Sequence, residues 1–373
     1  MAQARTGTAD LPLHGGRAPR WLFQRMTRLA RAIALVLVEE GGPQEVLVRL
    51  ADPYWFQAFG CVLGFDWHSS GLTTTACGAL KEGLREVGPS MGLYVAGGKG
   101  ATSRRTPEEI RQRGADLALD PEVLVYASRL VAKVDSNALQ DGYQIYHHAF
   151  IFDREGHWTV VQQGMNEATG YARRYHWLSE GLRGFVDEPH AAICTEQTGT
   201  VLNMVAHESA GARVASVELA RERPNRLLDE LFKLREPLFM PAHHAVSTGE
   251  IDPRRLATIF LTTYERQPEN FEQLLALQGV GAKAIRALSL LAELLYGAPA
   301  STRDPARFSF AHGGKDGHPY PVDRVTYERS IDLLERAVKQ AQLGHRERLE
   351  ALRRLAAWQQ DEPHGPSPAA EAP

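Results

Sequence analysis

Along the first third of the chain, apolar residues recur at helical spacing, broken at glycine and proline. Residues 20–40 form one such run and stop at Gly41-Gly42; Pro43 opens a second, to about Leu50. Asp52-Pro53 supplies a capping carboxylate ahead of a proline at the first helical position, which predicts a helix to about Val62. Residues 73–86 read as helix. Residues 91–96 read as a strand leading into a glycine loop at 97–100. Thr106-Pro107-Glu108-Glu109 puts its acids where the helix dipole favours them, and residues 121–134 give another helix.

The period changes at residues 143–166. Two β-rich runs flank Asp153-Arg154-Glu155-Gly156, whose late glycine suits a hairpin turn. A four-residue loop at 153–156 sets Phe152 against His157, Phe150 against Thr159, His148 against Val161 and His147 against Gln162. A short strand is expected at 191–195. From Arg213 onward the pattern is nearly all helical, and residues 361–373 are rich in Pro, Ala and acids, as in a disordered tail. The fold class expected is α+β. A mixed domain over 1–210 holds a sheet containing the hairpin, a mainly helical domain spans 211–360, and the tail follows.

Composition narrows the function. A net charge of −3 over 373 residues excludes a uniformly basic nucleic-acid coat, so a polyanion would be held by a local patch. Three cysteines with no CxxC pair make no disulfide framework and suggest a reduced, cytoplasmic protein. The longest strongly apolar run, 32–38, is far too short to cross a bilayer, and the N-terminus lacks an export pattern, so no membrane partner is expected. The 14 histidines are numerous for a side chain that titrates near neutrality and binds metals.

The most specific segment is 271–296, FEQLLALQGVGAKAIRALSLLAELLY. It resembles a helix-hairpin-helix DNA-binding motif. The residues expected to meet phosphates are Gln278, Gly279, Val280, Gly281, Ala282 and Lys283. The glycines permit a tight reversal, and the unpaired amides opening the second helix suit a phosphate oxygen. Ile285 stands where such motifs usually carry a small residue. Further DNA contacts are expected from Lys99, Arg104 and Arg105 in a glycine-containing stretch. Arg173 and Arg174, interleaved with aromatics in YARRYHW, are expected to add more. Arg17, Arg20, Arg25, Arg28 and Arg31 would share one helix face.

Asp66 and His68 lie two apart in a loop. Asp135 and Asp141 lead into the end of the hairpin where His147 and His148 gather. Carboxylates and histidines beside phosphate-binding elements suggest divalent-metal phosphodiester hydrolysis. Mg²⁺ or Mn²⁺ would be held by Asp66, His68 and Asp135, with a histidine as general base. The patterns GxSxG and HExxH are absent, and nothing local activates Cys194 as a nucleophile.

Several blocks together resemble one family: RTGTADLPLHGGRAPRWLF (5–23), DPYWFQAFGCVLGFDWHSSGLTTTACGALKEGL (52–84), KVDSNALQDGYQIYHHAFIFDREGHWTVVQQGMN (133–166), ARRYHW (172–177), the segment 271–296 and FSFAHGGKDGHPYPVDRVTYERSI (308–331). The chain resembles the bacterial and archaeal family catalogued as domain of unknown function 763. The resemblance implies a prokaryotic cytoplasmic protein with a helix-hairpin-helix in its second domain, and no mapped reaction. The expected function is therefore a DNA-binding protein of DNA processing or repair, as a metal-dependent, structure-selective endonuclease. A non-catalytic DNA-binding scaffold and a small-molecule metalloenzyme are the alternatives, and a homodimer stays open.

Overall fold

A computed structural model describes residues 19–65, 71–195, 197–233, 253–307, 324–341 and 343–360. The helices are α1 (Arg20–Ala51), α2 (Pro53–Leu63), α3 (Gly71–Leu84), α4 (Gly88–Met91), α5 (Thr106–Arg111), α6 (Pro121–Lys133), α7 (Ala210–Ala220), α8 (Pro224–Lys233), α9 (Pro253–Arg266), α10 (Phe271–Ala276), α11 (Ala282–Tyr296), α12 (Arg324–Gln340) and α13 (His345–Gln360). The strands are β1 (Leu93–Lys99), β2 (Leu139–Gln140), β3 (Gln144–Asp153), β4 (Trp158–Asn166), β5 (Tyr171–Leu178), β6 (Ala192–Cys194) and β7 (Leu202–Asn203). The fold is α+β. The tail expected at 361–373 lies outside the described residues.

Local signals place the first helices. α1 kinks at Gly42, which sits at φ 78° outside the helical region, where the sequence broke its two helical runs. Asp52 caps α2: its Oδ1 accepts from the Tyr54 N–H at 2.8 Å and the Trp55 N–H at 3.1 Å.

Five strands form one antiparallel sheet in the order β1-β3-β4-β5-β6. Helices cover both faces. Ala149, Ile151 and Val161 belong to a core shared with α1, α2, α3, α12 and α13. Phe150, Phe152, Val160, Tyr175 and Trp177 belong to the opposite core, with α6, α7, α10 and α11. Alternate strand residues point to opposite faces, so each strand feeds both cores.

The boundary expected at 210/211 runs through these shared cores. Trp177 lies in one cluster with Ala212, Leu274 and Leu291, and Trp55 of α2 lies in the other with Leu334 and Leu355. The helical period showed which faces were apolar, but not that the sheet would cover them.

The hairpin register differs from the expected one by a single residue. His148 faces Gln162 and His147 faces Gln163. The turn is shorter than expected because Asp153 stays in the ladder. Its N–H donates to the His157 carbonyl at 2.9 Å, and its Oδ1 accepts from the His157 N–H at 2.9 Å. Arg154, Glu155 and Gly156 (φ 94°) make the loop. Gly97, Gly98 and Lys99 were expected in a loop and instead complete β1, paired with Ala149, His148 and His147. Glycine is required at 97: its φ is 85°, and a Cβ there would overlap the His148 carbonyl oxygen.

Candidate functional site

The segment 271–296 folds as two helices joined by a glycine turn. Asn270 caps α10, its Oδ1 accepting from the Gln273 N–H at 2.9 Å, and Gln273 Oε1 accepts in return from the Glu269 N–H at 2.9 Å. Gly279 takes φ 88°. The first intrahelical bond of α11 runs from the Ile285 N–H to the Gly281 carbonyl at 3.1 Å, so the amides of Ala282, Lys283 and Ala284 precede it. Gln278, Gly279 and Lys283 are exposed, and Gly281 and Ala282 are half-buried. Val280, expected among the contact residues, is instead 2% exposed and anchors the turn in the core. Ile285 is also core.

The turn is braced from beneath. Lys133 Nζ donates to the carbonyls of Leu275 at 2.7 Å, in the last turn of α10, and of Leu277 at 2.5 Å, just past its end. Burial lowers the pKa of Lys133. Gln140 Nε2 donates to the Ala282 carbonyl at 2.8 Å, and its Oε1 accepts from Arg286 Nε at 2.8 Å.

The other basic positions divide. Lys99, Arg104 and Arg105 are exposed, the last two in a 3₁₀ turn (Gly100–Arg105) after β1. Arg173 and Arg174, expected on a DNA surface, are inside. Arg173 donates to Asp141 at 2.9 Å, to Asp304 at 2.7 Å and to the Gln197 carbonyl at 3.1 Å. Arg174 donates to Gln57 Oε1 at 3.0 Å and His176 Nε2 at 2.9 Å, with its guanidinium 4.8 Å from the Phe56 ring centre. Neither is available to a phosphate on the surface. On α1, Arg28 pairs with Glu347 at 3.1 Å; Arg17 lies outside the described residues.

Asp66 and His68 also lie outside the described residues. The other expected catalytic residues are buried and do not converge. Asp141 accepts from Arg173 and from the Tyr175 hydroxyl at 2.7 Å. Burial raises its pKa against the opposing effect of Arg173. Asp135 accepts from Gln162 Nε2, from Trp177 Nε1 at 2.9 Å and from His190 Nε2 at 2.5 Å. With Gln162 donating to Asp135, its Oε1 must accept from His148 Nδ1 at 2.9 Å. His148 Nε2 then accepts from the Ser128 hydroxyl at 2.9 Å. This network uses both ring nitrogens of a neutral His148, whose pKa burial lowers. His147 points into the other core. Among the described residues neither of its nitrogens has a partner, and its pKa is lowered to about 3, by burial first and then by His148 and Lys99. Among the described residues no three of His, Cys, Asp and Glu come together as a metal-ligand set. The three thiols are buried, and burial pushes Cys77 up to about 12 and Cys194 to about 11.

The sequence reading missed His190. It follows Pro189, and its Asp135 partner is 55 positions away. Its Nε2 faces Asp135, and the residue borders a cleft of about 100 Å³ lined also by Glu188, Asn203, Arg303 and Arg307. No local pattern marks this contact.

The architecture is therefore an antiparallel sheet between two helical layers, with a braced helical hairpin on one of them and polar networks on both faces of the sheet. The chain matches, over residues 7–322, the family described as protein of unknown function (DUF763), and it belongs to that family. No curated protein and no solved structure matches it. Among the described residues, no helix is long and apolar enough to cross a membrane.

Proposed function

We propose that the protein binds duplex DNA through the turn at 278–283 and acts in DNA processing or repair. The observation that carries this reading is the exposed turn itself. Gly279 is held at φ 88° beside the first-turn amides of α11, with the Lys283 side chain on the same turn. Such a turn resembles a helix-hairpin-helix. It presents N–H groups and one positive charge to a phosphate oxygen and reads no base. Lys99, Arg104 and Arg105 supply further exposed charge. One hairpin binds weakly, so affinity should depend steeply on salt. The test is fluorescence anisotropy with labelled duplex and branched DNA across a salt series. Gly279→Val and Lys283→Ala should both weaken binding, and unchanged affinity in both variants overturns the reading.

The fuller reading is a metal-dependent, structure-selective endonuclease, with Mg²⁺ or Mn²⁺ held by Asp66 and His68. Nicking of plasmid or branched DNA that is lost in Asp66→Ala supports it. The second reading is DNA binding without hydrolysis. It is favoured by the internal use of Asp135, Asp141 and His148, and binding without any nicking by the wild type supports it.

A further inference from the structure

We propose that the outer face of α6 binds an unpaired nucleotide of a strand leaving the duplex held at 278–283. The inference rests on the DNA reading and names its substrate class, a duplex that carries a single-stranded tail. Most of α6 is sorted as an amphipathic helix should be, with Leu124, Val125, Ala127, Leu130 and Val131 in the core. Val123 and Tyr126 break the pattern: they lie three positions apart on the outer side and are 57% and 42% exposed. The Tyr126 ring is also held at both ends. Its hydroxyl donates to Glu272 Oε1 at 2.8 Å, and its ring meets Phe185 edge to face at 6.2 Å. Phe185 in turn stacks on the buried Trp158 at 6.1 Å, with the planes 9° apart. A base stacking on a ring already fixed in this way orders little that is still free.

Charge selects nucleic acid as the occupant. Arg129, three positions after Tyr126, and Arg183, two before Phe185, are both exposed. Among the described residues neither makes an ion pair or a side-chain hydrogen bond. The nearby carboxylates are committed, Glu122 to Arg111 at 2.5 Å and Glu272 to the Tyr126 hydroxyl. An aromatic ring flanked by uncommitted guanidiniums suits a single strand: the base lies on the ring and its phosphates on the cations, whatever the base. Position fits as well. Lys133, about two turns along α6 from Tyr126, bonds the Leu277 carbonyl beside Gln278, so α6 runs from the aromatic ring to the hairpin turn. Two turns rise ~10 Å, which a stacked strand covers in about three nucleotides at ~3.4 Å each. A strand with a phosphate on the turn therefore reaches Tyr126 with about its third unpaired base.

The experiment is fluorescence anisotropy on the full-length protein. The probes are a labelled blunt duplex and the same duplex with thymidine tails of one, three or six nucleotides at its 3′ or 5′ end. A 2-aminopurine in place of the third tail base gives a second readout. Wild type should bind the longer tails, at one of the two ends, about tenfold more tightly than the blunt duplex, and the 2-aminopurine emission should fall as its base stacks. Tyr126→Ala should bring tailed and blunt duplex to equal affinity and leave the emission unchanged. Tyr126→Phe keeps the ring without the Glu272 bond and should retain both effects, which separates stacking from the hydrogen bond. Arg129→Ala should weaken binding of the tailed duplex alone. Equal affinity of wild type for blunt and tailed duplex overturns the proposal. So does a tail preference that survives Tyr126→Ala or is lost in Tyr126→Phe. In each of these cases, blunt duplex that still binds, and binds less well in Lys283→Ala, leaves the DNA reading standing. No binding of any duplex by wild type ends both.

Discussion

Replacing His147 by leucine should make the folded protein less sensitive to acid. His147 is fully buried, neither ring nitrogen is bonded among the described residues, and its pKa falls from 6.5 to about 3. The unfolded chain therefore takes up a proton as pH drops below 6.5, and the folded chain does not until about pH 3. The unfolded state binds more protons throughout that window, so the stability present above 6.5 is lost as pH falls and the loss levels off near 3. At about 1.36 kcal/mol per pH unit, the 1.5 units between 6.5 and 5.0 amount to about 2 kcal/mol from this one side chain. Urea unfolding of wild type and His147→Leu at pH 7.5 and 5.0 measures it. The variant should lose about 2 kcal/mol less than the wild type between the two pH values. It should also be at least as stable at pH 7.5, since leucine leaves no buried unpaired nitrogen. Burial lowers His148 and His176 as well, but both remain in wild type and variant, so the difference isolates His147. Equal pH dependence in the two proteins refutes the reasoning.

Asp135→Asn should destabilise the protein by about 1–2 kcal/mol in the same unfolding assay, because the amide keeps an oxygen for Gln162 and Trp177 but replaces the bonds of a carboxylate with neutral ones, the one at His190 Nε2 requiring the other ring tautomer. Lys133→Met removes the two bonds from Nζ to the Leu275 and Leu277 carbonyls; it should lower the melting temperature and weaken DNA binding, both visible in parallel melting and anisotropy measurements. Lys283→Ala should reduce the slope of log affinity against log salt by about 1, the contribution of one phosphate contact, while leaving melting unchanged.

What the sequence made legible was local. The Asp52 cap, the kink at Gly42 and the turn at Gly279 each depend on a few neighbouring residues, and the structure carries all three where the spacing put them. The hairpin's existence was equally plain, but its register was not. That rested on whether Asp153 closed the ladder or joined the loop, a difference made by its hydrogen bonds to His157. Arg173 and Arg174 misled for a different reason. In YARRYHW no polar–apolar alternation shows which face is buried, because helices cover both faces of β5 and both arginines turn inward. Their partners, Asp304 and Gln57, are 131 and 117 positions away, and no window along the chain contains such pairs. The same distance hid His190 behind Asp135.

The short stretch 133–140 ties these features together. Lys133 holds the carbonyls at the C-terminal end of α10, and Gln140 holds the start of α11. Between them a π-helical turn, Val134–Ala138, points Asp135 the other way, into the sheet and onto His190. Positions two apart on a helix lie about 200° around its axis, so Lys133 and Asp135 serve opposite sides. The hairpin and the Asp135 network are thus braced by one segment of backbone. A substitution that only removes the Asp135 charge should disturb His190 first, whereas one that shifts the turn should disturb both. Running the anisotropy and urea-unfolding assays on Asp135→Asn and Lys133→Met side by side separates the two. If Asp135→Asn weakens DNA binding as much as Lys133→Met does, the segment moves as a unit. If it lowers stability and leaves DNA binding unchanged, the hairpin and the Asp135 network merely share an anchor.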